Sequence, residues 1–206
     1  LVFLPGGLAG ALSVAVTLRI GAPGEFSLAA TFGLEVNTQA LAVDQTIVVG
    51  GQAQRVNVPG GPFFRVTAYD ADATIAGLTL HGDFLFDQTG QGNARVTRMA
   101  VAHLSLSGVP GDSRVLQNGQ GALVVKAGGV AGLLTGELAA SAGGVSGSGT
   151  IGFRMNTTKA AVDETITVNG ATIVVRFAAP DPAGTNTFGF FVQDLSLKVG
   201  DFVSLE

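Results

Sequence analysis

The chain has 206 residues, a formal net charge of −4 at pH 7 and no cysteine. The net negative charge predicts no basic surface for nucleic acid, and the absence of thiols excludes disulfides and zinc–thiolate sites. Charged residues make up 13% of the chain and hydrophobic residues 47%; the low content of Lys and Glu argues against an ordinary cytosolic enzyme, and the absence of Cys fits an extracellular bacterial protein without disulfides.

The first twenty residues predict two strands and a turn. Pro5, Gly6 and Gly7 interrupt the apolar run after four residues, so a membrane-spanning helix is not expected. From residue 8 to residue 20 the bulky side chains occupy even positions and the small or polar ones occupy odd positions, which is the period of a strand. Similar alternation recurs over 26–36, 63–69, 73–88, 94–107, 121–126, 130–138, 165–178 and 188–206.

One segment of the chain occurs twice. Residues 33–47 read GLEVNTQALAVDQTI and residues 152–166 read GFRMNTTKAAVDETI, at an offset of 119 (163 − 44). Ala and Leu cluster between the Asn-Thr and Asp-x-Thr pairs, so a helical turn or two is expected over 38–43 and 157–162. The similarity also pairs Gly82-Asp83-Phe84 with Gly200-Asp201-Phe202, and predicts a β-bulge near Val199.

A duplication of this length predicts two structural units. We expect a first unit over 1–88, intervening strands or a linker over 89–122 that complete it, and a second unit over 123–206. The chain starts without Met inside an apolar strand and stops at the counterpart of Gln88, so we expect a truncated second unit and either a piece of a longer array or a processed product. The predicted fold is all-β, with two tandem antiparallel β-sandwich-like repeats. The alternative is one large pseudo-symmetric sandwich or barrel, or a β-solenoid.

The repeated Asn-Thr and Asp-x-Thr pairs are the polar constellation that both units share. Asn, Asp and Thr side chains cap turns, and that is one interpretation. The other is a Ca²⁺ site in each unit, because calcium binds carboxylate, amide and carbonyl oxygens. Its ligands would be Asn37, Asp44 and Thr46 in the first unit, and Asn156, Asp163 and Thr165 in the second.

Catalytic chemistry has few candidates, and we expect no enzyme. His81 lies two residues before Asp83 on a predicted strand, which would place both side chains on one face as half of a triad or as a metal site, but no histidine repeats in the second unit. His103 has Ser105 and Ser107 on its predicted face. A hydrolase would need a carboxylate pair such as Asp83 with Asp44, or Asp201 with Asp163.

Phenylalanines cluster at 63–64 and 188–191, near predicted loops. Aromatic side chains serve as stacking platforms for sugars, but thirteen Phe with one Tyr and no Trp favour core packing. Binding of a glycan or another surface ligand is the alternative function, with the loops over 108–120 and 180–187 as its binding surface.

The phrase VGDFVSLE at 199–206, together with the long repeats, resembles the giant repeat-bearing extracellular, adhesin-like proteins of environmental Gram-negative bacteria. The resemblance implies a secreted or surface-tethered array that serves adhesion, matrix or filament formation, and it implies calcium as a stiffening ion. It carries over no catalytic residues. Long strands with small, uncharged outer faces favour pairing with another chain, and the expected partner is a neighbouring repeat or another copy. The expected assembly residues are Leu1, Val2, Phe3, Leu4, Phe202, Val203 and Leu205.

Overall fold

The computed structural model describes residues 1–20, 26–75, 77–107, 115–142, 144–179, 185–199 and 203–205, and they are almost entirely strand. The all-β prediction is therefore confirmed. The strands are β1 (Val2–Leu4), β2 (Gly7–Ile20), β3 (Phe26–Asn37), β4 (Val43–Val49), β5 (Gln52–Val58), β6 (Phe63–Ile75), β7 (Leu78–Thr89), β8 (Val96–Ser107), β9 (Leu116–Lys126), β10 (Gly129–Ala142), β11 (Val145–Asn156), β12 (Val162–Val168), β13 (Ala171–Phe177), β14 (Thr187–Val199) and β15 (Val203–Leu205).

Eleven of these strands form one open antiparallel sheet, in the order β1-β2-β3-β6-β7-β8-β9-β10-β11-β14-β15. Two hairpins interrupt this meander at equivalent places. Hairpin A (β4 and β5) is inserted between β3 and β6, and hairpin B (β12 and β13) is inserted between β11 and β14. The strands of both predicted units therefore belong to one sheet, and β9 spans the predicted boundary at residue 123. The sheet keeps two edges and does not close into a barrel.

The sheet has two chemically different faces. Both hairpins pack on one of them, here called the hairpin face, and the opposite one is the open face. Along each strand alternate residues point to opposite faces, so the registers assign each side chain: Ala9, Asn37 and Phe63 are aligned on the hairpin face, while Leu12 and Leu34 are aligned on the open face.

Hairpin B seals the main core against the centre of the sheet. It contributes Val162, Ile166, Val168, Ile173, Val175 and Phe177, and the sheet contributes Leu85, Ala100, Ala102, Ala122, Val124 and Ala131, all buried. The four alanines are small enough for the hairpin backbone to lie close to the sheet. Because Leu85, Ala100 and Ala102 come from β7 and β8, the hairpin of the second unit buries its apolar side chains on strands that precede that unit.

Hairpin A has a much smaller core. Ala9, Val43, Val56 and Val58 are buried there, with Val2, Leu4 and Ile47 packed against them. Equivalent hairpin positions differ in exposure: Val168 is 0% exposed, whereas Val49, which occupies the same position 119 residues earlier, is 58% exposed. The tip of hairpin B packs against β7 and β8, whereas no described strands pack against the tip of hairpin A.

Two predictions from the repeat are wrong. Residues 39–41 and 158–160 form bends and not helical turns, because the side chains of Asn37 and Asn156 bond to their backbone; the sole helical element described is a 3-10 turn, Gly92–Ala94. No helix among the described residues has the length and hydropathy to cross a membrane.

The second correction concerns strand register. After the hairpins, β6 and β14 occupy equivalent sheet positions at an offset of 124 (187 − 63), so Asp70 corresponds to Asp194. Both residues lie at bulges with φ of 48° and 52°, a left-handed conformation that Asp tolerates. The bulge expected near Val199 is therefore at Asp194. Gly82-Asp83-Phe84 lies within β7, while 200–202 are outside the described residues.

Candidate functional site

An ion-pair network joins hairpin B to the sheet beneath it. Glu164 on β12 points toward the sheet, where its Oε2 accepts hydrogen bonds from Arg98 Nε and Nη2 at 3.1 and 3.0 Å. Lys126 Nζ lies 2.8 Å from Glu164 Oε1. Burial favours the neutral acid, but the bonds and charges of Lys126 and Arg98 outweigh it and hold the pKa of Glu164 below its ordinary value. The carboxylate is therefore ionised at neutral pH and ties two sheet strands to the hairpin.

The network continues across the hairpin face of the sheet. Arg98 Nη1 donates to Asp87 Oδ1 at 3.3 Å, and Arg65 Nη2 donates to Asp87 Oδ2 at 3.3 Å. Arg65 Nη1 also donates to Glu35 Oε2 at 3.4 Å. Three cations thus alternate with three carboxylates along the chain Glu35–Arg65–Asp87–Arg98–Glu164–Lys126.

Four of these charges, those of Arg65, Asp87, Arg98 and Glu164, line a cleft of about 690 Å³ between hairpin B and the sheet. Tyr69, Thr89 and Asn169 add hydroxyl and amide groups to its wall, and Phe63, Leu85 and Ile166 add apolar surface. Every charged side chain of this wall is paired with another member of the network. The arrangement is therefore that of a structural tie between layers, with the cleft as the space left between hairpin B and the sheet.

A second polar cluster surrounds the buried carboxylate of Asp83 on β7. Its Oδ1 accepts the backbone N–H of Asp70 at 2.8 Å, and its Oδ2 lies 2.6 Å from His103 Nδ1. Asn169, at the tip of hairpin B, bonds to the same carboxylate. Burial raises the pKa of Asp83, but the bonds from His103, Asp70 and Asn169 outweigh burial and bring the pKa below its ordinary value.

The Asp83–His103 pair has the geometry by which a carboxylate orients an imidazole. The His103 side chain is 57% exposed while that of Asp83 is 4% exposed, so the ring faces solvent and the carboxylate is buried. Within the described part of the chain no hydroxyl bonds to the His103 ring, so the pair has no nucleophile beside it. His103 also occupies a bulge, with φ of 52°, and the pair fixes that bulge against β7.

The expected pairing of His81 with Asp83 is not what the structure shows. His81 Nδ1 lies 2.8 Å from Asp72 Oδ1 across the β6–β7 ladder, and both side chains are exposed. The pair of Asp83 with Asp44 that a hydrolase would need is not formed, since Asp44 is bound to Arg55 and Asp83 to His103. Asp201 lies outside the described residues.

The repeated Asn-Thr pair performs turn chemistry in both units. Asn37 is fully buried; its Nδ2 donates to the carbonyls of Leu41 and Pro59, and its Oδ1 accepts the Gln39 N–H. Asn156 repeats this pattern with Ala160 and Thr158. Thr38 Oγ1 accepts the N–H of Leu8, and Thr157 Oγ1 accepts that of Val130, each at 2.9 Å.

The aspartates of the repeat lie elsewhere. Asp44 forms two hydrogen bonds to Arg55, and Asp163 one to Arg176, on the exposed side of each hairpin. Thr46 and Thr165 lie on the same hairpin strands, with Thr165 lining the cleft. No cluster of three or more His, Asp or Glu side chains suited to a metal ion occurs among the described residues. The contacts match the turn-capping interpretation, and calcium binding stays a prediction.

The predicted assembly residues lie at the two edges of the sheet. β1 is three residues long and pairs with β2 only through residues 7–9. Val2 and Leu4 pack on the core of hairpin A, whereas Leu1 and Phe3 are 61% and 79% exposed. At the other edge Val203 and Leu205 lie on β15, which pairs with residues 197–199 of β14; Phe202 is outside the described residues.

Most of both outer long strands is therefore unpaired on one side. Residues 10–20 of β2 and 187–196 of β14 have no described neighbour beyond β3 and β11 respectively. In contrast, the equivalent strands within the chain, β10 and β6, are paired along both sides. Long unpaired edges are templates for strand addition.

The phenylalanine clusters divide between the faces. Phe63 is buried on the hairpin face. Phe64 is on the open face in edge-to-face contact with Phe86, with 6.2 Å between the two ring centroids. Phe188 and Phe190 also lie on the open face, 62% and 68% exposed. Of the loops expected to bind glycan, 108–114 and 180–184 are outside the described residues, and glycan binding stays a prediction.

The inter-layer network was not anticipated from sequence. Arg98 and Glu164 are 66 residues apart and belong to no motif. The available signal was that each charged residue occupies a position at which strand alternation predicts a buried side chain. Comparison with protein-family models, with curated proteins and with solved structures finds no match to this chain. Function is therefore inferred from the geometry.

Proposed function

We propose that this chain belongs to an extracellular structural or adhesive β-repeat protein, whose units add strands to one continuous sheet to build a surface stalk, matrix or filament. The observation that carries the proposal is the junction between the two predicted units. They share a sheet without interruption, and the hairpin of the second unit is buried on β7 and β8 of the preceding one.

The edges of the sheet supply the means of extension. Residues 10–20 of β2 pair with β3 on one side, and on the other side these eleven residues (20 − 9 = 11) have no described strand partner. Arg19 is the one charged side chain in this stretch. Natural edge strands are usually protected from association by charges, prolines or short length. β2 has no proline and is fourteen residues long, so it favours addition of a strand from a neighbouring unit or copy.

A pair of lysines on this edge tests the proposal. Ala11 and Ala15 lie on the same face of β2 and are exposed, so Ala11→Lys with Ala15→Lys leaves the fold of one chain intact and places charge on the pairing edge. The matched control is Gln52→Lys with Ala53→Lys, two exposed positions on hairpin A.

Sedimentation velocity over a range of concentrations is the measurement. We expect the unmodified chain and the hairpin control to form species that grow with concentration, and the edge variant to stop growing. Equal growth of the edge variant and the control would show that the β2 edge takes no part in assembly. A chain of constant mass at every concentration would overturn the proposal of self-assembly.

A further inference from the structure

The open face of the sheet is a continuous apolar surface. Outside the bulges, its side chains in the described strands are almost all Leu, Val, Ile, Phe, Met, Ala or Gly, and none is charged. Its rows cross the sheet from one long edge strand to the other, as in the aligned residues Leu12, Leu34, Val66, Phe86, Met99 and Leu123. The charged strand residues, such as Glu35, Arg65 and Arg98, point to the hairpin face.

This surface is exposed in the single chain. Leu12 is 60% exposed, Leu134 is 47% and Phe153 is 42%. Nine long strands (11 − 2 short edge strands) at about 4.8 Å spacing, each with roughly ten residues rising about 3.3 Å, give a face of roughly 1,400 Å². The largest apolar patch of a monomeric protein is about 300–600 Å², so a face of this size indicates an interface.

The two polar side chains of the face hydrogen-bond to each other. Gln88 Nε2 donates to Thr97 Oγ1 at 3.0 Å, across the β7–β8 ladder. The face thus offers no free polar anchor to an amphiphilic ligand. The surface that matches it is a second apolar sheet, since two sheets bury such faces by packing about 10 Å apart.

We propose that the open face is a docking surface for the open face of a second copy of this chain, which forms a two-layer β-sandwich with the hairpins on its outer sides. The area supports this occupant: about 800 Å² per partner is the size of a standard stable interface, and the face exceeds it. Side chains of each copy enter a shallow trough of about 620 Å³ on the other, lined by Phe84, Phe86, Met99, Leu123, Leu134 and Phe153.

This pairing uses a face and not an edge, so it does not rest on the assembly proposed above. The test is made with the edge variant Ala11→Lys/Ala15→Lys, in which the β2 edge is blocked and strand addition cannot continue beyond one contact at the β14 edge. In that background we expect a discrete dimer of twice the 20.7 kDa chain mass by light scattering after size exclusion.

Leu134→Glu places a charge in the middle of the open face. The matched control is Val174→Glu, on the outer side of hairpin B, where Val174 is 42% exposed. We expect the Leu134 variant to be monomeric and the Val174 variant to remain dimeric, with unchanged strand content by circular dichroism in both. Dimers of equal stability in both variants would overturn the proposal.

A second measurement needs no disruption of the interface. The chain has no cysteine, so Leu134→Cys and Val174→Cys each provide one thiol. In the dimer we expect the thiol at 134 to react with a maleimide at least tenfold more slowly than the thiol at 174. Equal rates would contradict the proposal, as would a monomer that carries lipid in native mass spectrometry, which would assign the face to an acyl chain.

Discussion

At the scale of single residues, the structure distinguishes charges that tie layers together from charges that face water. Neighbouring residues on β12 show the difference. Glu164 is bonded to Arg98 and Lys126 under hairpin B, with its side chain 16% exposed. Asp163 points the other way to Arg176, and both are more than 60% exposed. Exposed pairs contribute little to stability, and buried ones cost much when one partner is removed.

Glu164→Gln should lower the free energy of unfolding by about 1–3 kcal/mol, because hydrogen bonds to two cations are lost and those cations stay half-buried. Asp163→Asn, the control one residue away, should leave stability unchanged. Urea denaturation at neutral pH measures both. An equal effect of the two substitutions would show that the network does not fasten hairpin B.

Asp83 should make stability depend on acidity. Burial opposes its ionisation, but His103, Asp70 and Asn169 bond to the charged form and lower its pKa. The stabilisation is thus present above the unfolded-state pKa of about 3.9 and is lost as pH falls through the lower folded-state pKa.

Asp83→Asn should therefore destabilise the protein by roughly 1–3 kcal/mol at pH 7 and should flatten the acid side of the stability profile. Asp72→Asn, at the exposed pair with His81, is the control and should keep the profile of the unmodified chain. Thermal melts between neutral pH and strongly acidic pH compare the three. A profile for Asp83→Asn that parallels the unmodified one would assign the acid sensitivity to other carboxylates.

At the scale of elements, the two hairpins share a sequence pattern but not an environment. Hairpin B lies over β7, β8, β9 and β10, whereas hairpin A contacts β2 and β3. The same valine is therefore a core residue in one unit and a surface residue in the other.

Val168→Ala should cost about 2 kcal/mol, since it leaves a cavity in the main core. Val49→Ala, the equivalent change where the side chain is 58% exposed, should alter stability by less than about 0.5 kcal/mol. Chemical denaturation of both variants is the measurement. Similar costs at the two positions would mean that the tip of hairpin A is buried as well, and would contradict the difference between the hairpins.

Strand content and the duplication could be predicted from sequence, because alternation and fixed-offset identity are local signals. Asn37 and Asn156 were correctly offered as turn residues. Their neighbours were not helical, because each Asn side chain bonds to backbone within its own bend and replaces the helical pattern. The register of β14 was misassigned because the short Gly-Asp-Phe similarity hid a five-residue difference (124 − 119) between 59–62 and 178–186.

The layer that covers each face could not be predicted. Alternation shows that a strand has an apolar and a polar side, but both sides of β8, with Arg98, Ala100 and Ala102 opposite Met99 and Val101, contain apolar residues. The sequence does not give the position of the hairpin, so it could not predict which small residues lie under it. Likewise, Asp83 and His103 are twenty residues apart and meet only through the β7–β8 ladder.

At the scale of the whole molecule, the described strands present two edges that are unpaired over most of their length and one apolar face that no described residues cover. In the assembly that we propose, the edges would extend the sheet within its plane and the face would pair two sheets. Together these surfaces would give a two-layer ribbon whose outer sides carry the hairpins and the charged residues. Such a ribbon fits a stalk, matrix or filament.

Negative-stain electron microscopy of the purified chain at high concentration tests the central claim of ordered self-assembly most directly. We expect extended ribbons or fibres from the unmodified chain and from the Gln52→Lys/Ala53→Lys control, and short discrete particles from Ala11→Lys/Ala15→Lys. Discrete particles from all three proteins would contradict an assembling structural role for this chain.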